Sequence, residues 1–177
     1  MRILPIALLT AALGLGLASS AQANDLTPPK VPTGLQPPKG QKPFKLGHAT
    51  GVQIYTCNGT AWTLTGPRAD LTNDNGKKKW IHFAGPTWQH KDGSTVVAQV
   101  PPLGTATVSP TAIPWLLLAA KSTAPGAFGD KMVPTTYIQR INTTGGLAPA
   151  AASCNASSTG LVQEIAYTAD YFFWKAK

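Results

Sequence analysis

One pattern recurs from residue 51 to residue 174: a short run with apolar residues at every second place, then a turn signal. Val52-Gln53-Ile54-Tyr55-Thr56-Cys57 is rich in β-branched and aromatic residues, and Thr60-Ala61-Trp62-Thr63-Leu64-Thr65 repeats the pattern. Residues that alternate in this way put one face of an extended chain on a core and the other in water. Asn75-Gly76 after Asp74 is a hairpin-turn signal, and Lys79-Trp80-Ile81-His82-Phe83 is the next strand. Lys91-Asp92-Gly93 is a second turn and leads into 94–100; 135–141 is a further strand, stopped by Gly145-Gly146, and 165–174 is the last. The one helical candidate, 116–121, reads equally well as a buried strand. Short strands between frequent turns predict an all-β, mostly antiparallel sandwich or barrel of about seven to ten strands with little helix.

The first residues follow a different rule. Met1-Arg2 carries one positive charge, an apolar run extends from Ile3 to about Ala18, and Ala21-Gln22-Ala23 ends in a small-x-small site. This order predicts a secretory signal peptide over 1–23, cleaved after Ala23. The apolar run falls short of the ~20 residues of a spanning helix and contains Gly14 and Gly16, so an uncleaved anchor is disfavoured. No further apolar stretch of that length follows, which leaves no transmembrane segment after cleavage. Residues 24–43 hold Pro28, Pro29, Pro32, Pro37, Pro38 and Pro43 and predict an extended arm or linker, because proline withholds the N–H that helices and central strands need. The remaining 44–177 form a single β domain, long enough for a core of its own.

Export would place Cys57 and Cys154 in an oxidising compartment, where two cysteines in one domain most often pair. A periplasmic or secreted location follows. The chain carries 15 Lys and Arg against 7 Asp and Glu. That excess is scattered apart from Lys77-Lys78-Lys79, and it suits an anionic envelope surface or solubility. Nucleic acid is not expected as a partner, since no RNA-binding or helix-turn-helix pattern is present. Asn58, Asn142 and Asn155 open glycosylation patterns, relevant only in a host that modifies them.

Few residues suit chemistry. His48, His82 and His90 are enough ligands for one zinc or copper ion if the fold gathers them, although the spacing of the last two fixes nothing. No cofactor is otherwise predicted. Asp170 stands in an aromatic strand beside Tyr171, where a carboxylate needs a partner, and Arg140 is the natural choice. Asp74 and Asp92 fall in turns, where Asp is favoured for backbone reasons. No Gly-x-Ser-x-Gly nucleophile motif occurs. Trp88 follows Gly85-Pro86-Thr87, which sets it beside a turn and makes it the aromatic most suited to stacking on a ligand.

Several blocks, taken in order, resemble a known family. They are Gly47-His48-Ala49-Thr50-Gly51-Val52-Gln53-Ile54-Tyr55-Thr56-Cys57, His82-Phe83-Ala84-Gly85-Pro86-Thr87-Trp88 with Asp92-Gly93-Ser94, Trp115-Leu116-Leu117-Leu118, Tyr137-Ile138-Gln139-Arg140, and Tyr167-Thr168-Ala169-Asp170-Tyr171-Phe172. The chain is similar over about 47–174 to small secreted bacterial and fungal proteins grouped as domain of unknown function thirty-four fifty-five. The resemblance implies no activity and no catalytic residue. Fungal relatives are often labelled malate dehydrogenase. The only Gly-x-Gly here, Gly14 and Gly16, lies in the predicted signal peptide, with no strand–turn–helix unit behind it, which argues against a dehydrogenase. The expectation is therefore a non-enzymatic β domain that binds a small ligand or envelope component through His48, Tyr55, His82, Trp88 and Asp170. Its rivals are a metal-dependent protein using the three histidines and a structural or stress-related envelope protein.

Overall fold

The computed structural model describes residues 26–28 and 30–177. The predicted signal peptide lies outside them. Nine strands follow one another: β1 (Gln41–Cys57), β2 (Trp62–Thr72), β3 (Lys78–Phe83), β4 (Thr87–His90), β5 (Thr95–Ala98), β6 (Gly104–Ala106), β7 (Trp115–Ala124), β8 (Tyr137–Gly145) and β9 (Val162–Ala176). Sequence-adjacent strands pair as antiparallel neighbours, except across β5 and β6. β5 and β6 both lie along β7, at Ala98↔Ala120 and Gly104↔Leu117, so together they act as one interrupted strand. β1 pairs with β9 from Gln41↔Ala176 to Thr56↔Val162 and closes the sheet. The result is an eight-position up-and-down barrel, closed by the β5–β7 pairing. Residues 116–121, ambiguous in sequence, are strand: Leu116 and Leu118 face the interior opposite Arg140 and Ile138. β4 and β6 carry too few residues to show a period.

Alternation decides what faces where. On β1, Gly47, Ala49, Gln53, Tyr55 and Cys57 are buried, whereas Thr50 is exposed. The interior is packed by Trp80, Trp88, Leu71, Val96, Ile138, Tyr171 and Phe173, and burying each aliphatic or Phe side chain of this set contributes roughly 1.5–3 kcal/mol. Arg68, Asp70 and Thr168 point outward and are exposed. Among the described residues no helix is long and apolar enough to cross a membrane.

Gly51 lets β1 and β2 meet. A Cβ there would lie 2.2 Å from the Arg68 carbonyl oxygen and 2.5 Å from Ala69 Cβ. Outside the barrel, the proline-rich stretch forms a short 3-10 turn, Thr33–Leu35. Leu35 is 1 % exposed and belongs to the outer side of the sheet, with Leu117, Gln139 and Phe172. Gln139 Nε2 donates to the Leu35 carbonyl at 2.7 Å. The turn is thus seated against β6 and β7 and held to β8 by Gln139, and the last residues read as arm, Gln41–Pro43, are corrected to strand: they open β1 opposite β9, with a break in register beside Pro43.

Cys57 and Cys154 form a disulfide. Cys57 ends β1, and Cys154 lies in the long β8–β9 connection. The bridge fastens that connection to one end of the β1–β9 seam, where Cys57 N also donates to the Leu161 carbonyl at 2.9 Å.

Candidate functional site

The barrel ends differ. At the end where β1 finishes and β2 begins, the core stops short and leaves a pocket of about 330 Å³. This is near the lower limit of the ~300–1,000 Å³ usual for small-molecule sites. Leu64, Pro86 and Val100 stand among its walls, and His82, Trp88, Tyr171, Gln53 and Arg140 supply its polar and aromatic surface. An eight-stranded barrel encloses enough space for packed side chains or one small ligand, and here side chains fill the middle while the end stays open as a pocket.

His82 and Trp88 are cross-strand partners of β3 and β4. Their rings stack at 4.1 Å and 5°, and Tyr171 meets both edge-on at 5.3 Å. His82 Nδ1 lies 2.9 Å from the Thr87 carbonyl oxygen, so Nδ1 carries the proton and donates. Nε2 of the neutral ring is left as a lone-pair acceptor. Burial, reinforced by the Arg140 charge, pushes His82 down to about 3, against the opposing hydrogen bond to Thr87. The ring is therefore neutral at ordinary pH.

Arg140 projects inward from β8 opposite Tyr171. Its Nε and Nη2 donate to the Pro114 carbonyl at 3.1 and 2.8 Å. That shared carbonyl fixes the guanidinium but does not neutralise it. Among the described residues no carboxylate lies within ion-pair distance. Two further donors of the pocket wall, Gln53 Nε2 and Trp88 Nε1, are buried without a partner. Unpaired buried donors of this kind cost about 1–3 kcal/mol each. Gln139 Oε1 and Trp174 Nε1, also unpartnered, lie by a separate recess beneath the arm.

The residues singled out in the sequence fall in three places. His82 and Trp88 line the pocket. Trp88 sits within β4 at 1 % exposure, with its ring turned into the barrel rather than out from a turn. Tyr55 is buried nearby, and its hydroxyl donates to the Gly146 carbonyl at 2.7 Å, outside the pocket lining. His48 and Asp170 are on the outer face, Nδ1 to Oδ1 at 2.7 Å. The Arg140–Asp170 pairing is corrected: Arg140 belongs to the inward set of β8 and Asp170 to the outward set of β9, so the sheet separates them. Asp170 instead accepts from Asn142 Nδ2 at 2.8 Å.

The three-histidine metal site is corrected on the same ground. His48 faces outward between Asp170 and Asp74, whereas His82 and His90 face inward. His90 is committed to Asp92, 3.0 Å away. Among the described residues no group of three or more His, Cys, Asp or Glu is placed to hold a metal ion. Sequence reading missed Arg140, Gln53 and Tyr171 as pocket residues. The available signal was polar side chains at inward positions, Gln53 two residues before Tyr55 and Arg140 two after Ile138.

Fold and site together define a closed antiparallel barrel, packed through its middle and hollow at one end behind a fixed cation. The chain belongs to the family described as "Protein of unknown function (DUF3455)", which matches residues 38–175. No curated protein and no solved structure matches it. Among the described residues there is no strand–helix–strand unit of the kind that carries a dinucleotide.

Proposed function

We propose that the protein is an exported binding protein whose barrel-end pocket takes a compact organic anion with an apolar body, such as a small carboxylate. The observation that carries this reading is Arg140, a fixed guanidinium without a carboxylate partner in an apolar, aromatic-lined pocket. An uncompensated charge in such surroundings is costly, and an incoming anion offsets that cost with charge-assisted hydrogen bonds. Gln53 and Trp88 contribute donors at the same wall. Neutral His82 favours a ligand that also offers a hydroxyl or N–H to Nε2. The rings of Trp88 and Tyr171 suit a flat or branched apolar body. Export is supported by the Cys57–Cys154 bridge and by the leader pattern of residues 1–23.

The test is thermal melting with hexanoate, benzoate and indole-3-acetate, each beside its uncharged amide. The carboxylates raise the midpoint and the amides do not. Arg140→Met removes the rise. So does Leu64→Trp, which plugs the pocket from a position 51 % exposed and spares the core. Equal shifts from acid and amide, or a rise that survives both substitutions, would refute the reading.

A further inference from the structure

The opposite end of the barrel carries a second surface. There the 125–135 connection folds over the opening, and Met132, fully buried, accepts from Trp80 Nε1 at 3.1 Å. The tip of this connection presents Phe128 at 87 % exposure. Its position is built. Phe128 N donates to the Asp92 carbonyl at 3.0 Å, Gly126 N to the Gly129 carbonyl at 2.7 Å, and Lys131 N to Asp92 Oδ2 at 3.1 Å. Asp92 is itself 6 % exposed and accepts from Ser94 N and Oγ. A Cβ at Gly126 would lie 2.2 Å from the Asp92 carbonyl oxygen, so the tip is closed down onto the hairpin beneath it.

Lysines surround this phenylalanine. Lys78, Lys79 and Lys91 line a recess of about 410 Å³ together with Phe128, Ala127 and Ile81. Lys79 is lowered by the charge of Lys91 first, then by slight desolvation, Lys77 and Lys131; Lys45 is lowered by burial first and then by Lys131. Those influences mark one continuous cationic cluster. Among the described residues only Lys78 of this set has a carboxylate within ion-pair distance, Asp70 at 2.6 Å.

We propose that this end docks on an anionic phospholipid bilayer, with Phe128 entering the acyl boundary and Lys79, Lys91 and Lys131 meeting headgroup phosphates. A soluble polyanion needs cations alone. A lipid surface also takes up apolar side chains, and here Phe128 and Ile81 share the recess with the lysines. A tip already fixed by Asp92 loses little freedom on insertion. Bound in this way, the barrel would hold its pocket away from the membrane.

Vesicle co-sedimentation of the full barrel tests this. The vesicles are phosphatidylcholine alone or an equal mixture with phosphatidylglycerol, and heparin-resin retention is measured in parallel. The protein should bind the mixed vesicles only, and less as salt rises. Phe128→Ala should weaken vesicle binding about tenfold and leave heparin retention unchanged. Lys79→Glu with Lys91→Glu should abolish it, with circular dichroism confirming the fold. Leu64→Trp should bind like the wild type, which separates this surface from the pocket. Equal binding to neutral vesicles, no vesicle binding, or vesicle binding untouched by Phe128→Ala would each overturn the proposal. Heparin retention without vesicle binding would assign the surface to a polyanion instead.

Discussion

His48 leaves β1 on the outer face and meets two carboxylates, Asp170 at 2.7 Å through Nδ1 and Asp74 at 3.0 Å through Nε2. Burial alone would lower its pKa. The hydrogen bonds and charges of the two aspartates outweigh that and raise it above 6.5. A histidine raised on folding stabilises the folded state fully below its unfolded pKa, and the contribution disappears as pH rises through the folded value. His48→Gln should therefore lower the melting midpoint more at about pH 5 than at about pH 9. An equal loss at both would contradict the ion-pair role. Arg140 and Asp170 show what sequence could not supply at this scale. Both were legible as charged residues among apolar ones. Which faced inward depended on the register of β8 against β9, and the β8 bulge, where Asn142 takes φ 51°, interrupts that register.

Leu35 is buried against β6 and β7, over a sheet face that water would otherwise reach. Leu35→Ala should lower stability by about 2–3 kcal/mol in chemical denaturation, within the range of buried Leu truncations. A change below about 0.5 kcal/mol, the size usual at surface sites, would mean the arm is not seated there. Strand existence was legible wherever alternation ran for five or more residues, as in β1, β3, β8 and β9, and Asn75-Gly76 and Asp92-Gly93 do lie in the turns they signalled. β4 was not legible, since four residues of mixed character show no period. The arm's docking was not legible either: proline marks where regular structure stops, and the contact made afterwards is tertiary.

For the whole molecule, closure and the disulfide act at one seam. β1 and β9 pair almost from end to end, and the Cys57–Cys154 bridge reinforces one end of that seam. The bridge closes a loop of 97 residue steps, for which chain entropy gives up to roughly 4–5 kcal/mol. Reduction, or Cys57→Ala with Cys154→Ala, should lower the unfolding midpoint clearly while far-ultraviolet dichroism at low temperature stays that of the barrel. An unchanged midpoint would contradict a stabilising role. The two ends of the barrel differ in chemistry, with lysines and a fixed aromatic at one and a hollow lined by Arg140 at the other. The class of fold was readable from alternation. The division between ends was not, because it arises only when Lys79, Lys91 and Lys131, distant in sequence, converge at one rim.

Anion binding at Arg140 in the hollow end can be followed by nuclear magnetic resonance of labelled protein titrated with benzoate, at the His82 ring, the Trp88 indole and the Arg140 guanidinium. Binding in the pocket shifts these three together, leaves the outer His48 ring in place, and fails in Arg140→Met. Shifts confined to His48 or to the lysine rim, with His82, Trp88 and Arg140 unmoved, would contradict it.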